Sequence, residues 1–353
     1  MRLRLWLSCL LLLAGCASVD EPPRPDEPSF KPGDYGGNSL PDKEDLFSLQ
    51  ISPDGQRVAL MRARTPGSLT DPRDQLWITD RDGSNARLIA VNVRSADWAP
   101  DGKRLAVTVA YGIAFYVHTI DLETKAVKQW TGEAGTFFDK AVVSNPRWFR
   151  DGERLLVTVT LQAFEQRFKR GVYTIHTGTG EITGPHVELM DGTGLGFNDR
   201  FVGGQKYGKT PGPLDGNVAV YGLETGTLHW ITRVRSDSTH FTVGGGFVSP
   251  VADAVLYGIH LQNAYQLFVA KTDGTGARQL TTLGGTNPLW TYDGSAFTFV
   301  RDVYRGPGAH NVPFLYSMAT GSEAPLWPAL PDSVPAFPPL STQATARSFA
   351  SEP

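Results

Sequence analysis

The sequence predicts an all-β chain folded as a six-bladed β-propeller of four-stranded antiparallel blades, and three observations carry that prediction. The 353 residues include 38 Gly and 25 Pro, about 18% against roughly 12% in average usage, which suits short strands and tight turns better than long helices. Asp-Gly pairs at 54–55, 101–102, 151–152 and 293–294 sit in one repeated frame. The intervals between the first three are 47 and 50 residues, and the gap of 142 before the last has room for further units of that size. Self-similarity at 40–50 residues with four short strands per unit is the signature of propeller blades.

Each unit opens with an apolar strand, a turn and a second apolar strand. The well-kept copies are 51–60 (ISPDGQRVAL), 98–107 (WAPDGKRLAV), 148–157 (WFRDGERLLV) and 290–300 (WTYDGSAFTFV). Two degenerate copies, 196–204 (GFNDRFVGG) and 247–258 (FVSPVADAVLYG), bring the number of units to six between about residues 45 and 328. The second halves are 75–90, 115–131, 171–184, 217–232, 265–282 and 313–327. Each is a β-rich run, a polar turn with Gly or a charged pair, and a short final run. Such turns supply the positive φ angles and side-chain bonds that two-stranded hairpins need. Trp98, Trp148 and Trp290 recur at one frame position, which predicts packing between neighbouring blades.

The frame Trp98-Ala-Pro-Asp-Gly, with its counterparts at Ile51, Trp148 and Trp290, resembles the repeats of TolB-like propellers, which also occur in the propeller domain of prolyl oligopeptidases. The resemblance covers roughly residues 45–328 and implies a ring of blades whose loops vary while the core is kept.

The first twenty residues read MRLRLWLSCLLLLAGCASVD. Arg2 and Arg4 form a basic start, Leu5 to Leu13 an apolar run too short to span a bilayer, and small residues precede Cys16. Leu13-Ala14-Gly15-Cys16 resembles the bacterial lipobox. That resemblance implies a signal peptide over 1–15, acylation of Cys16 and attachment to a membrane, with outer-membrane sorting favoured because Ala17, not Asp, follows. Residues 16–44 read as a Pro-rich tether and 329–353 as a Pro-, Ser- and Ala-rich tail. Only Cys9 and Cys16 occur, so neither a disulfide framework nor a four-cysteine zinc site is expected.

Lys+Arg 33 against Asp+Glu 36 gives a formal net charge of −3, and nothing in that balance favours nucleic acid. The middle loops of four units are long: 62–74, 161–171, 205–216 and 301–312. They carry Arg62, Arg64, Arg73, Arg167, Lys169, Arg170, Lys206, Lys209, Arg301 and Arg305 against Asp71, Asp74, Glu165, Asp215 and Asp302, with Phe164, Phe168, Tyr207 and Tyr304 among them. Collected on one face, they predict a basic, aromatic surface for an envelope protein or anionic polymer.

Chemistry is less visible. Residues 203–210 (GGQKYGKT) match the phosphate-loop pattern, but Pro211 and Pro213 follow at once and spoil the helix that cradles phosphate. No G-x-S-x-G occurs, and His118, His176, His186, His229, His240, His260 and His310 are scattered. His118 and His176 read as equivalent third-strand positions. With about 25 residues after the last blade, no hydrolase domain is expected to follow. The sequence therefore reads as a membrane-anchored, non-enzymatic scaffold without a cofactor. Its alternative is a metal-dependent, lyase-like enzyme using His240, His260 and His310 at the channel mouth.

Overall fold

A computed structural model describes residues 46–63, 74–111, 114–132, 142–160, 170–188, 190–206, 216–234, 243–261, 264–304 and 309–327. The chain divides into Met1–Gly36 and Gly37–Pro353, and all described residues belong to the second unit. The expected signal peptide, Cys16, the tether and the tail lie outside the described residues.

The six-bladed, four-stranded propeller is what the chain forms. Blade one contains β1 (Leu46–Ile51), β2 (Arg57–Ala63), β3 (Asp74–Asp80) and β4 (Arg87–Val91). Blade two contains β5 (Val93–Trp98), β6 (Arg104–Tyr111), β7 (Ala114–Asp121) and β8 (Val127–Gln129); blade three contains β9 (Val142–Trp148), β10 (Arg154–Thr160), β11 (Gly171–His176) and β12 (Ile182–Glu188). Blade four is built from β13 (Met190–Asn198), β14 (Phe201–Lys206), β15 (Asn217–Gly222) and β16 (Leu228–Trp230), and blade five from β17 (Val243–Val248), β18 (Val255–Leu261), β19 (Ala264–Ala270) and β20 (Arg278–Gln279). Blade six comprises β21 (Thr286–Trp290), β22 (Ala296–Tyr304), β23 (Ala309–Ser317) and β24 (Ser322–Pro325). Every sheet is an antiparallel meander of four consecutive strands.

Strand periodicity explains why the second strands are apolar on both faces. Successive side chains point to opposite sides of a sheet, and both sides of a blade are covered by neighbours. In β2, Val58 and Leu60 enter the cluster shared with blade six, while Ala59 and Met61 enter the one shared with blade two. Six such clusters fill the six blade interfaces. The recurring tryptophans behave as expected. Trp98 packs between blades one and two and donates Nε1–H to the Gln50 carbonyl at 3.1 Å; Trp290 packs between blades five and six and donates to the Phe247 carbonyl at 2.8 Å.

Among the described residues no strand from one end of the chain completes a blade at the other, and side chains join blade six to blade one. The Thr298 hydroxyl donates to the Leu49 carbonyl at 2.6 Å, and Trp327 donates Nε1–H to the Arg81 carbonyl at 2.9 Å. The Trp327 ring lies against Gly83 in the last turn of blade one. Blades four and five meet differently, backbone to backbone. A Cβ on Gly203 would strike the Gly246 carbonyl oxygen.

Candidate functional site

The Asp-Gly hairpins form one face of the ring. In blade two the Asp101 carboxylate accepts the backbone N–H groups of Lys103 at 2.8 Å and Arg104 at 3.2 Å, and Gly102 takes φ +67°. Asp151 and Gly152 repeat this arrangement in blade three. These turns place the ends of the first strands around the central channel. All six blades contribute to its mouth, among them Gln50, Asp97, Arg147, Asn198, Phe247 and Trp290.

Asp97 ties three blades together there. Its carboxylate accepts Gln50 Nε2–H at 2.7 Å from blade one and the Trp148 backbone N–H at 2.7 Å from blade three, and Arg147 stands 3.3 Å away. Burial pushes the Asp97 carboxyl above its ordinary range, against the pull of Arg147 and the two donors. Arg150, in the turn of blade three, donates to the Tyr292 carbonyl of blade six at 3.2 Å and lies over the Tyr292 ring at 4.9 Å. Those blades are opposite in a six-membered ring, so the guanidinium reaches across the mouth. The backbone N–H of Arg150 is held by Asp199 of blade four at 3.0 Å. Burial raises the Tyr292 hydroxyl pKa; Arg150 opposes the shift and the carboxylates of Asp199 and Asp97 add to it. The mouth therefore offers aromatic and guanidinium groups, while its carboxamides are engaged, Gln50 with Asp97 and the Trp98 N–H and Asn198 with the Ser249 carbonyl. Among the described residues its lining contains no Ser, Cys or His, and the Thr291 hydroxyl is engaged with Asp293 at 2.6 Å.

The basic face read from the sequence loses several members. Arg62 lies in β2 and is 9% exposed. Arg301, counted with the same loops, lies in β22 at 6% exposure, forked onto Glu323 through two 2.7 Å bonds and packed over Phe314 at 4.5 Å. Asp74 is buried in β3 against Arg94 at 2.8 Å. The reason is strand length: β22 and β23 pair as far as Tyr304 and Ala309, where the sequence placed a loop from 301. Tyr304 ends β22, and nothing is described of its side chain. Arg170 and Lys206 are half-buried, just before β11 and at the end of β14. Arg64, Arg73, Phe164, Arg167, Phe168, Lys169, Tyr207, Lys209 and Arg305 lie outside the described residues.

The histidine reading also changes. His118 pairs with Val107 in mid-strand, whereas His176 pairs with Arg154 at a strand end, so the two positions are not equivalent. His260 stacks edge-on against Tyr265 with ring centroids 5.0 Å apart. His240 and the His310 side chain lie outside the described residues. Among the described residues no group of three or more His, Cys, Asp or Glu side chains could hold a metal. Gly203 to Lys206 are strand, as the following prolines led us to expect, and not the start of a helix.

No family model matches the chain. YuxL of Bacillus subtilis, an uncharacterised peptidase, is 32% identical over 117 residues, which are 32% of this chain and 17% of the relative. The structure is similar to the tricorn protease, with TM-score 0.56 and 15% identity over 85% of this chain and 27% of that one. It is also similar to an oligogalacturonate lyase solved with manganese, with TM-score 0.51 and 14% identity over 81% of this chain and 77% of that one. The two structural likenesses show the fold, and the chain spans only 17% of the curated relative it matches. The sequence match to a peptidase overturns the reading as a non-enzymatic scaffold acting through a basic loop face. For the lyase-like alternative, the likeness to the oligogalacturonate lyase is one of fold.

Proposed function

We propose that this chain serves peptide hydrolysis, as the propeller of a peptidase-type protein whose channel mouth receives peptide. The sequence match to a peptidase carries the reading, and the chemistry of the mouth supports it. A peptide presents amide donors and acceptors with intervening apolar side chains. The mouth sets against these the Arg150 guanidinium and the Tyr292 ring, the mixture of a few placed polar groups and apolar walls typical of ligand sites. With no Ser, Cys or His in its lining among the described residues, the mouth is read as selecting and orienting, with the groups that break the bond acting from elsewhere in the protein.

The test is fluorescence anisotropy of fluorescein-labelled casein peptides against the purified chain. Saturable binding is expected, weakened about tenfold by Arg150→Ala, the equivalent of ~1.4 kcal/mol. Arg150 is exposed, so the variant should fold. Absence of saturable binding to the native chain at millimolar peptide, or unchanged binding in the variant, would refute this assignment of the mouth.

A further inference from the structure

The repeat assigns a job to one arginine in each of the first three blades, and the third copy meets no carbonyl of the next blade among the described residues. In blade one, Arg57 lies over Trp98 of the next blade at 5.1 Å and donates to the Gly102 carbonyl at 2.7 Å. In blade two, Arg104 lies over Trp148 at 4.8 Å, donates to the Gly152 carbonyl at 3.1 Å and holds its own turn through Asp101 at 2.8 Å. Arg154 in blade three keeps the bond to its own turn, Asp151 at 2.6 Å, and stacks on Phe149 of its own blade at 4.1 Å. Among the described residues no carbonyl of blade four meets it.

The cause is a shorter hairpin. Phe201 pairs with Asn198 across a turn of Asp199 and Arg200 alone, and the Asp-Gly pair whose glycine carbonyl meets the preceding arginine in blades two and three is missing. A groove of about 480 Å³ opens in its place, lined by Arg154, His176, His186, Arg200, Glu181 and Glu224 among others. Its wall is ordered by a 2.8 Å hydrogen bond between Thr174 Oγ1 and His186 Nε2. Burial lowers the pKa of His186, so the ring is neutral at pH 7.

We propose that this groove binds a carboxylate, which takes the place of the absent glycine carbonyl on the Arg154 guanidinium, with Arg200 alongside. Guanidinium forks match a carboxylate in geometry as well as charge. Glu181, Glu224 and Asp199 line the same groove and set a condition: a polyanion is repelled, while one carboxylate on an otherwise neutral chain is not. The carboxyl terminus of a peptide meets that condition. This identification of the ligand rests on the peptide reading above; the carboxylate site itself does not.

The experiment compares acetyl-tetraalanine as the free acid and as the C-terminal amide, by calorimetry on the full chain. The free acid is expected to bind about tenfold tighter, with the preference erased by Arg154→Gln and partly restored by Arg154→Lys. Arg150→Gln should weaken acid and amide alike and leave the preference intact. Equal affinity for acid and amide, or a preference surviving in Arg154→Gln, would overturn the proposal. If the native chain binds neither peptide, the peptide reading fails. Sodium propionate followed at the Arg154 Nε resonance then decides the site: a saturable shift upholds it and no shift overturns it.

Discussion

At the scale of single residues, His118 is the clearest case of a group whose chemistry is set by its surroundings. It is 2% exposed, and neither ring nitrogen has a hydrogen-bond partner of ordinary geometry. Burial lowers its pKa, outweighing the Tyr116 backbone and the Gln129 side chain, which raise it. A folded-state pKa below the unfolded value means that the unfolded chain takes up the proton first as pH falls. The stability contributed by the neutral ring is thus complete above about pH 6.5 and declines below it. One proton changes stability by at most about 1.4 kcal/mol per pH unit. His118→Leu, facing the apolar cluster of blades one and two, should flatten the decline in urea midpoint between pH 7 and 5. Parallel midpoints for the two proteins across that range would exclude the assignment. Nothing in the sequence distinguished His118 from His176. Strand register did, because it places one in mid-strand between two sheets and the other at an open strand end.

At the scale of elements, the Asp-Gly hairpin was legible because it is local. Aspartate accepting backbone N–H groups two and three residues on, with glycine at positive φ, needs no tertiary context. The staples from blade one to the hairpin of blade two and from blade two to that of blade three were not legible, since they depend on where Arg57 and Arg104 point. Its worth can be measured. Arg104→Gln removes a charge-assisted bond to the Gly152 carbonyl and the stacking on Trp148, an expected loss of about 1–2 kcal/mol. Arg154→Gln removes a surface pair with Asp151 and stacking on Phe149, both within its own blade, and should cost less, about 0.5–1 kcal/mol. Equal losses in urea unfolding would mean that the inter-blade bonds contribute nothing of their own. The long middle loops were misjudged for the converse reason. Arg301 and Arg62 are charged in sequence, but pairing with a neighbouring strand continues through them. Arg301 is tolerated inside because Glu323 and the Gly284 carbonyl satisfy its guanidinium.

At the scale of the whole molecule, the ring is held by side chains at its seam, where blade six meets blade one. Trp327 enters the cluster of Leu46, Leu49, Val58 and Leu60 and donates to the Arg81 carbonyl at 2.9 Å. Trp327→Ala should cost about 3–5 kcal/mol, whereas Trp327→Phe keeps most of the packing and should cost about 1 kcal/mol from the lost bond. An alanine variant unfolding within about 0.5 kcal/mol of the native chain would show that the seam is held otherwise. The sequence by itself determined the blade: its period, its four strands, its turns and the tryptophans between blades all follow from contacts within about fifty residues. Only the tertiary structure decided which residues meet at the channel. Gln50, Asp97, Arg150 and Tyr292 come from four different blades, and sequence spacing carries no record of a contact made by closing a ring. The groove at Arg154 belongs to the same class. It exists because one hairpin is two residues short, and that shortness becomes a vacancy only when the neighbouring blade is set beside it.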